Sequence, residues 1–260
     1  MMLILTIGLR HNLSIKAVED IFRAINLIFK NEKTVPQTKY KIRKYFPIQN
    51  EDIKKEIYCP GCRSHLGEQV EKKFQITCSC GLEVDEKSCK VFISLNFASQ
   101  LKNILENKVT NEQINYRFER EKKEATISDI YDGECYKKLC EPGRPFSQKL
   151  NFSYTFNYDG CPYGDSSKIT IWPKFATLNE LPKHLRAANM ILIGVWVDEN
   201  DPDMDVFFKS FVKNANRLSK HGVEWKKDNG EMVTSKIIPG QSCVDSPARS
   251  RGANMLKFNG

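Results

Sequence analysis

Two kinds of side chain in this sequence are spaced as metal ligands are spaced. Cys59 and Cys62 frame a Cys-Pro-Gly-Cys turn, and Cys78 and Cys80 follow about one hairpin later. Two thiol pairs separated in this way are how a small zinc ribbon gathers four thiolates into a tetrahedron. Pro60-Gly61 makes the first knuckle, and Phe74 to Thr77 supplies a strand into the second. The Cys-x-Cys spacing is tighter than the usual one. Whether Cys78 and Cys80 both ligate Zn2+ therefore stays open, with His65 and Cys89 in reserve. The plain alternative is a set of buried thiols. A ribbon this short has almost no core, so metal would supply its folding energy.

The other kind is carboxylate. In Asn151 to Tyr158 the aromatics Phe152, Tyr154, Phe156 and Tyr158 alternate with other residues, the signature of a strand. Asp159-Gly160 stops that strand, and Lys168 to Trp172 begins another. An acid at a strand end beside a glycine is either a turn residue or a metal ligand, and the turn is the commoner role. Asp245, at the end of the strand-like run Ser235 to Val244, poses the same choice.

The 260 residues are enough for one large domain or two small ones, and 40% hydrophobic with 28% charged residues is an ordinary globular balance. Forty Lys and Arg against thirty-two Asp and Glu leave a net charge of +8, which suits an anionic partner such as DNA. No apolar run is long enough to span a membrane. The apolar start, MMLILTIGLR, lacks the preceding basic residues and following cleavage site of a secretory signal, and reads as a first strand or helical turn. Nine cysteines without such a signal point to a reducing compartment, where paired thiols bind metal more often than they form disulfides.

The elements that must position these residues follow from periodicity. A helix is expected over His11 to Lys30, capped by Asn12 or Ser14. Lys39 to Tyr45 is basic and interleaved with aromatics, either a phosphate-contacting segment or a solvated helix face. Val91 to Val109 reads as an amphipathic helix, Asn111 to Ala125 as an exposed charged helix or linker, and Ile127 to Leu139 as a helix interrupted at Asp132-Gly133. Glu141 to Pro145 is a strong breaker. Four segments result: a helical region over 1–55, a zinc-ribbon-like module over 56–90, a helical linker over 91–145, and an α/β domain over 146–260. Within the last, Asn179 to Arg186 is a polar connection and Met190 to Val197 a buried strand. Met204 to Lys220 is a helix ended by His221-Gly222, and Val223 to Val233 a hairpin turning at Asp228-Asn229-Gly230. Ser246 to Phe258 starts a helix with proline in its first turn.

The order strand, strand, strand, helix, strand, helix is the one that opens an RNase H-like fold, in which the first and fourth strands lie side by side. The expected class is therefore α+β, with a mixed sheet in a partial RNase H-like domain. Asp159 and Asp245 would then be neighbours, and paired carboxylates are tolerated where a divalent cation, Mg2+ or Mn2+, sits between them.

The run from Asp132-Gly133 onward resembles the transposase domain of the CACTA (En/Spm-like) DNA transposons and their invertebrate relatives. The matching residues include Tyr136 and Leu139; Phe156-Asn-Tyr-Asp-Gly160; Ser166-Ser167-Lys168; Ile171-Trp172-Pro173; and Asn179-Glu-Leu-Pro182 with Arg186. Gly194-Val-Trp196, Gly222-Val223, Asp245-Ser-Pro-Ala-Arg249, Asn254 and Phe258-Asn-Gly260 complete the set. His11-Asn-Leu-Ser14, Lys39-Tyr-Lys41 and Tyr58-Cys-Pro-Gly-Cys62 extend the resemblance toward the start.

The resemblance implies a nuclear DNA-processing protein that cleaves and rejoins phosphodiesters with divalent metal. It makes Asp159 and Asp245 the first two acids of a DDE/D triad, and implies homo-oligomer assembly if the protein acts as a transposase. The family runs on past Phe-Asn-Gly to a third acid, so the resemblance implies an incomplete copy. A reading from another class is a non-catalytic zinc-ribbon remnant that binds nucleic acid.

Other candidates have plainer roles. Asp201, Asp203 and Asp205 precede a helix and suit capping; Asp132 suits a turn. His184 and His221 read as solvated, and Cys135, Cys140, Cys161 and Cys243 as packing residues. The sequence has no Ser/His/Asp or Cys/His arrangement and no phosphate-cradling glycine loop.

Overall fold

The computed structural model describes residues 11, 13–28, 38, 40–41, 52–69, 71–121, 126–163, 168–253 and 255. Met1 to Arg10, most of Lys39 to Tyr45, Lys122, Lys123, Ser166, Ser167, Asn254 and Phe258 to Gly260 lie outside the described residues. The chain divides into two compact units, 1–50 and 51–260. In the first, helix α1 (Ile15–Ile28) starts where Ser14 Oγ accepts from the Ala17 N–H at 3.1 Å, and it buries Val18 and Phe22 one turn apart.

The second unit is built on one sheet. Strands β1 (Ile53–Tyr58), β2 (His65–Glu68), β3 (Gln75–Thr77), β4 (Glu83–Asp85) and β5 (Lys90–Leu95) come first. Short helices α2 (Phe97–Glu106), α3 (Lys108–Asn111), α4 (Tyr116–Glu119) and α5 (Glu134–Leu139) follow. Next come β6 (Phe152–Tyr158), β7 (Cys161–Pro162), β8 (Thr170–Leu178), α6 (Lys183–Ala188), β9 (Ile191–Asp198) and α7 (Met204–His221). The hairpin β10 (Val223–Lys226) and β11 (Met232–Ser235), β12 (Ile237–Ser242) and α8 (Ser246–Gly252) complete it.

Eight strands form the main sheet in the order β12-β6-β8-β9-β5-β1-β2, with β7 added alongside β8. The β12–β6 pair is parallel and the other pairs are antiparallel, so the fold is α+β with a mixed sheet. Pro239 sits in β12 at the sheet edge, where a missing N–H leaves no second neighbour unpaired.

Three features differ from the sequence reading. Val91 to Val109 is not one helix: Lys90–Leu95 is a strand, and Asn96 caps α2 by accepting from Ser99 N at 3.1 Å. Phe92 and Ser94 are buried while Val91, Ile93 and Leu95 are partly exposed, which is a period of two hidden inside a helix-compatible pattern. Strands β1, β2 and β5 share one sheet with the strands after residue 150 through the β5–β9 pairing, while β3 and β4 pair only with each other. Asp159-Gly160 is also no hairpin turn. The chain resumes pairing with the same partner strand at Cys161, in unchanged register. The ladder is interrupted there opposite Pro173, which has no N–H to give.

The side of the sheet carrying Phe152, Tyr154 and Tyr158 is packed by α7, whose inner residues Val206, Phe207, Phe211, Ala215 and Leu218 are buried. Tyr154 and Phe156 contact Phe211, and Tyr158 meets Phe208 edge-on at 4.8 Å between ring centres. Burying each such ring contributes about 1.5–3 kcal/mol, so this layer fixes the ends of β6 and β12 firmly.

Candidate metal centres

The four ribbon cysteines sit at the tips of two hairpins. Cys59 follows β1 and Cys62 precedes β2; Cys78 follows β3 and Cys80 precedes β4. In the first tip Arg63 N donates to Cys59 O at 2.9 Å, and Arg63 takes a left-handed φ of 60°. In the second, Gly81 N donates to Cys78 O at 2.9 Å with Gly81 at φ 87°. Each tip closes on a left-handed residue directly after its second cysteine, in a five-residue turn at the first pair and a four-residue turn at the second.

Cys59 Sγ lies 3.8 Å from Cys80 Sγ, Cys62 Sγ lies 3.4 Å from Cys78 Sγ, and all four sulfurs fall within 4.8 Å of one another. A tetrahedral site with metal–sulfur bonds near 2.3 Å has sulfur–sulfur edges of about 3.8 Å. The donor set fits Zn2+, and both Cys78 and Cys80 belong to it. The reserves do not: His65 Nε2 is 2.8 Å from Glu56 Oε2, and the Cys89 thiol turns to the Glu86 carbonyl. The Cys80 backbone N–H, helped by the Ser64 hydroxyl, pulls the Cys78 thiol down to about 6, while in spite of the Leu82 N–H the neighbouring sulfurs push the Cys80 thiol up to about 11.

The two predicted acids lie at one end of the sheet. Cys243 N donates to Phe156 O at 2.9 Å, extending the parallel β12–β6 ladder one step beyond Ser242 opposite Phe156. The Asn157 side chain then reaches the Cys243 carbonyl. Asp159 and Asp245 each follow two residues later on these adjacent chains, and both are exposed. Asp159 Oδ1 accepts from Gly160 N at 2.7 Å. Asp245 Oδ1 caps α8 by accepting from Ala248 N at 2.8 Å. In each carboxylate the bond uses Oδ1.

The surroundings of these acids are closely packed. A β-carbon on Gly160 would stand 2.5 Å from Trp172 Cε2, so the indole occupies the space a larger residue would need. A β-carbon on Gly252 would collide with the Tyr158 hydroxyl, so α8 seats directly on the end of β6. Trp172 Nε1 donates to Asp201 at 3.2 Å, and Arg251 pairs with Asp201 while lying 5.5 Å from the centre of the Trp172 ring. Asp203 caps α7 through Val206 N at 3.2 Å, and Asp205 lies in its first turn. Among the described residues the four cysteines form the sole group of three or more His, Cys, Asp or Glu placed to share an ion.

Sequence reasoning missed the buried charges. Glu180 is fully buried and accepts from Ser153 N and Ser153 Oγ, both at 2.8 Å, and from Tyr136 Oη at 2.7 Å. Arg117 lies 3.8 Å away and donates to Tyr136 Oη. Burial pushes the Glu180 carboxyl up in spite of these donors. Asp129 holds Arg186 through two bonds of 2.8 and 2.9 Å, and Asp132 pairs with Arg120, which keeps its carboxyl well below the usual range. Beside this network a cleft of about 610 Å³ opens over Ser153, Thr155, Thr177 and Asn179; neither Asp159 nor Asp245 lines it. The available sequence signal was the compact run Asn179-Glu-Leu-Pro182, whose charge sits directly after a strand.

Lys174 was missed too. Its Nζ donates to the Phe207 carbonyl and lies 3.8 Å from the centre of the Phe207 ring, and burial pushes it down to about 7. It faces Gly194 across the β8–β9 ladder, the residue whose lack of a side chain makes room for it.

No protein-family model matches this chain, and no curated protein matches it either. No helix among the described residues is long and apolar enough to cross a membrane.

Proposed function

We propose that this chain is a DNA-processing protein of the DDE/D transposase type, stiffened by a structural zinc, in which Asp159 and Asp245 are two of the ligands for catalytic divalent metal. The observation that carries the reading is the parallel pairing of β12 with β6, from which both acids emerge at one end. The order β12-β6-β8-β9, with α7 lying between β9 and β12 in the chain, supports an RNase H-like core. The sequence resemblance supports the reaction class, and the net charge of +8 suits a polyanionic substrate.

When bound, Mg2+ or Mn2+ would polarise a phosphoryl oxygen and stabilise charge during in-line displacement. The chain's own contribution is placement. Asp159 and Asp245 offer carboxylate oxygens, and the Ala248 N–H fixes the orientation of the second. The β6–β12 ladder holds the pair together against its own repulsion.

A second reading is a non-catalytic zinc-bearing protein that binds nucleic acid. It is favoured by the absence of a third metal-ligating side chain grouped with these two among the described residues. Nicking of supercoiled plasmid separates the two. The first reading expects Mg2+-dependent nicking by the chain and none by Asp159→Asn. Nicking unchanged in that variant rejects the acid assignment, and salt-sensitive binding without any nicking selects the second reading.

A further inference from the structure

Helix α7 presents a face that neither the core nor the two metal centres use. Its inner side is buried, and its exposed side carries Lys209, Lys213, Arg217 and Lys220. At 3.6 residues per turn and 1.5 Å per residue, these four fall within a sector of about 80° and span roughly 16 Å of helix axis. From Val206 to His221 the helix contains no acid.

None of the four takes part in an ion pair among the described residues. An ordinary solvated helix face mixes signs so that residues three and four apart attract. Here Lys209, Lys213 and Arg217 stand at successive four-residue steps and Arg217 and Lys220 at a three-residue step, so neighbours repel. A uniform cationic seam of this kind is relieved by a polyanion.

The seam also has a direction. Phe208 lies against Tyr158, next to Asp159, at the start of the helix, and Ser219 Oγ bonds the Ile237 carbonyl at the beginning of β12. The cations thus run from the acid-bearing end of the sheet toward its opposite end. Duplex DNA carries one phosphate per 3.4 Å of axis on each strand, so a 16 Å seam matches several phosphates of one strand.

We infer that Lys209, Lys213, Arg217 and Lys220 form a contact surface for the phosphate backbone of duplex DNA. The choice of DNA over another polyanion rests on the function proposed above; the surface itself rests on the helix.

The test is fluorescence anisotropy of the full chain with a labelled 30-base-pair duplex across a salt titration. It compares the chain with K209Q/K213Q/R217Q/K220Q and with a control of equal charge loss, K108Q/K137Q/K138Q/K183Q. Each phosphate contact contributes about 0.9 to the slope of log affinity against log salt. The seam variant is expected to flatten that slope by about 3 to 4 and the control by much less, with both variants melting like the parent. An unchanged slope in the seam variant, or equal flattening in the control, overturns the inference while leaving DNA binding by the chain intact. Failure of the parent chain to bind the duplex at 50 mM salt removes the DNA reading, and the inference with it. Polyglutamate binding as tightly through the same four residues reassigns the seam to an acidic protein and overturns the assignment to DNA.

Discussion

The backbone N–H of Cys243 donates to the carbonyl of Phe156 at 2.9 Å, and this bond is the last step of the parallel ladder before Asp159 and Asp245. It joins two neighbouring strands just ahead of two acids far apart in sequence. Asp245 also caps α8, so this structural role can be separated from the metal-binding role proposed for it. Asparagine caps a helix about as well as aspartate, whereas alanine costs about 1 kcal/mol. Asp245→Asn is expected to melt like the parent chain and Asp245→Ala to melt lower, as measured by thermal unfolding followed by circular dichroism.

The cysteine centre tests the link between metal and sheet. Because β1 and β5 belong to the main sheet, loss of zinc should destabilise more than the ribbon. One equivalent of zinc per chain is expected by elemental analysis, reduced sharply in Cys78→Ser. Chelation should lower the melting temperature of the whole 51–260 unit. A melt indifferent to chelator would place the metal outside the fold's energetics.

The Arg117–Glu180 pair is buried on both sides, with side chains 3% and 0% exposed. Removing one partner from such a pair leaves an uncompensated charge and costs about 3–5 kcal/mol. Arg117→Met is expected to show that loss in urea unfolding. Combining it with Glu180→Gln should recover part of the loss, since the neutral amide needs no counter-charge.

Lys174 gives a pH dependence with a defined sign. Its folded-state value is about 7, below the ordinary 10.5, so between those limits the unfolded chain binds the extra proton. Stability from this group rises with pH across that window and is lowest below it. The difference in unfolding free energy between Lys174→Met and the parent should favour the variant near pH 7 and shrink toward pH 10.5. A difference independent of pH would mean that Lys174 stays charged in the fold.

The legible parts of this fold were local. The cysteine knuckles, α7 with its Asp203 cap, and the β10–β11 hairpin each depend on residues close in sequence, and each could be read from spacing alone. The helix reading of Val91 to Val109 failed because Phe92, Leu95, Leu101 and Ile104 satisfy a helical period while β5 is held by partners far away on β1 and β9. Asp159-Gly160 read as a turn because Gly usually marks one. The structure uses its missing side chain for the approach of Trp172 instead. Glu180, Arg117 and Lys174 gave no local sign of burial, since charged residues are expected at the surface.

The central claim is that Asp159 and Asp245 share a divalent cation, and Mn2+ binding followed by electron paramagnetic resonance tests it most directly. Zinc-loaded parent chain should bind Mn2+ at a site that Mg2+ competes for, and both Asp159→Asn and Asp245→Asn should lose it while retaining the parent melt. Mn2+ binding unchanged in either variant, or absent from the parent, would contradict the account.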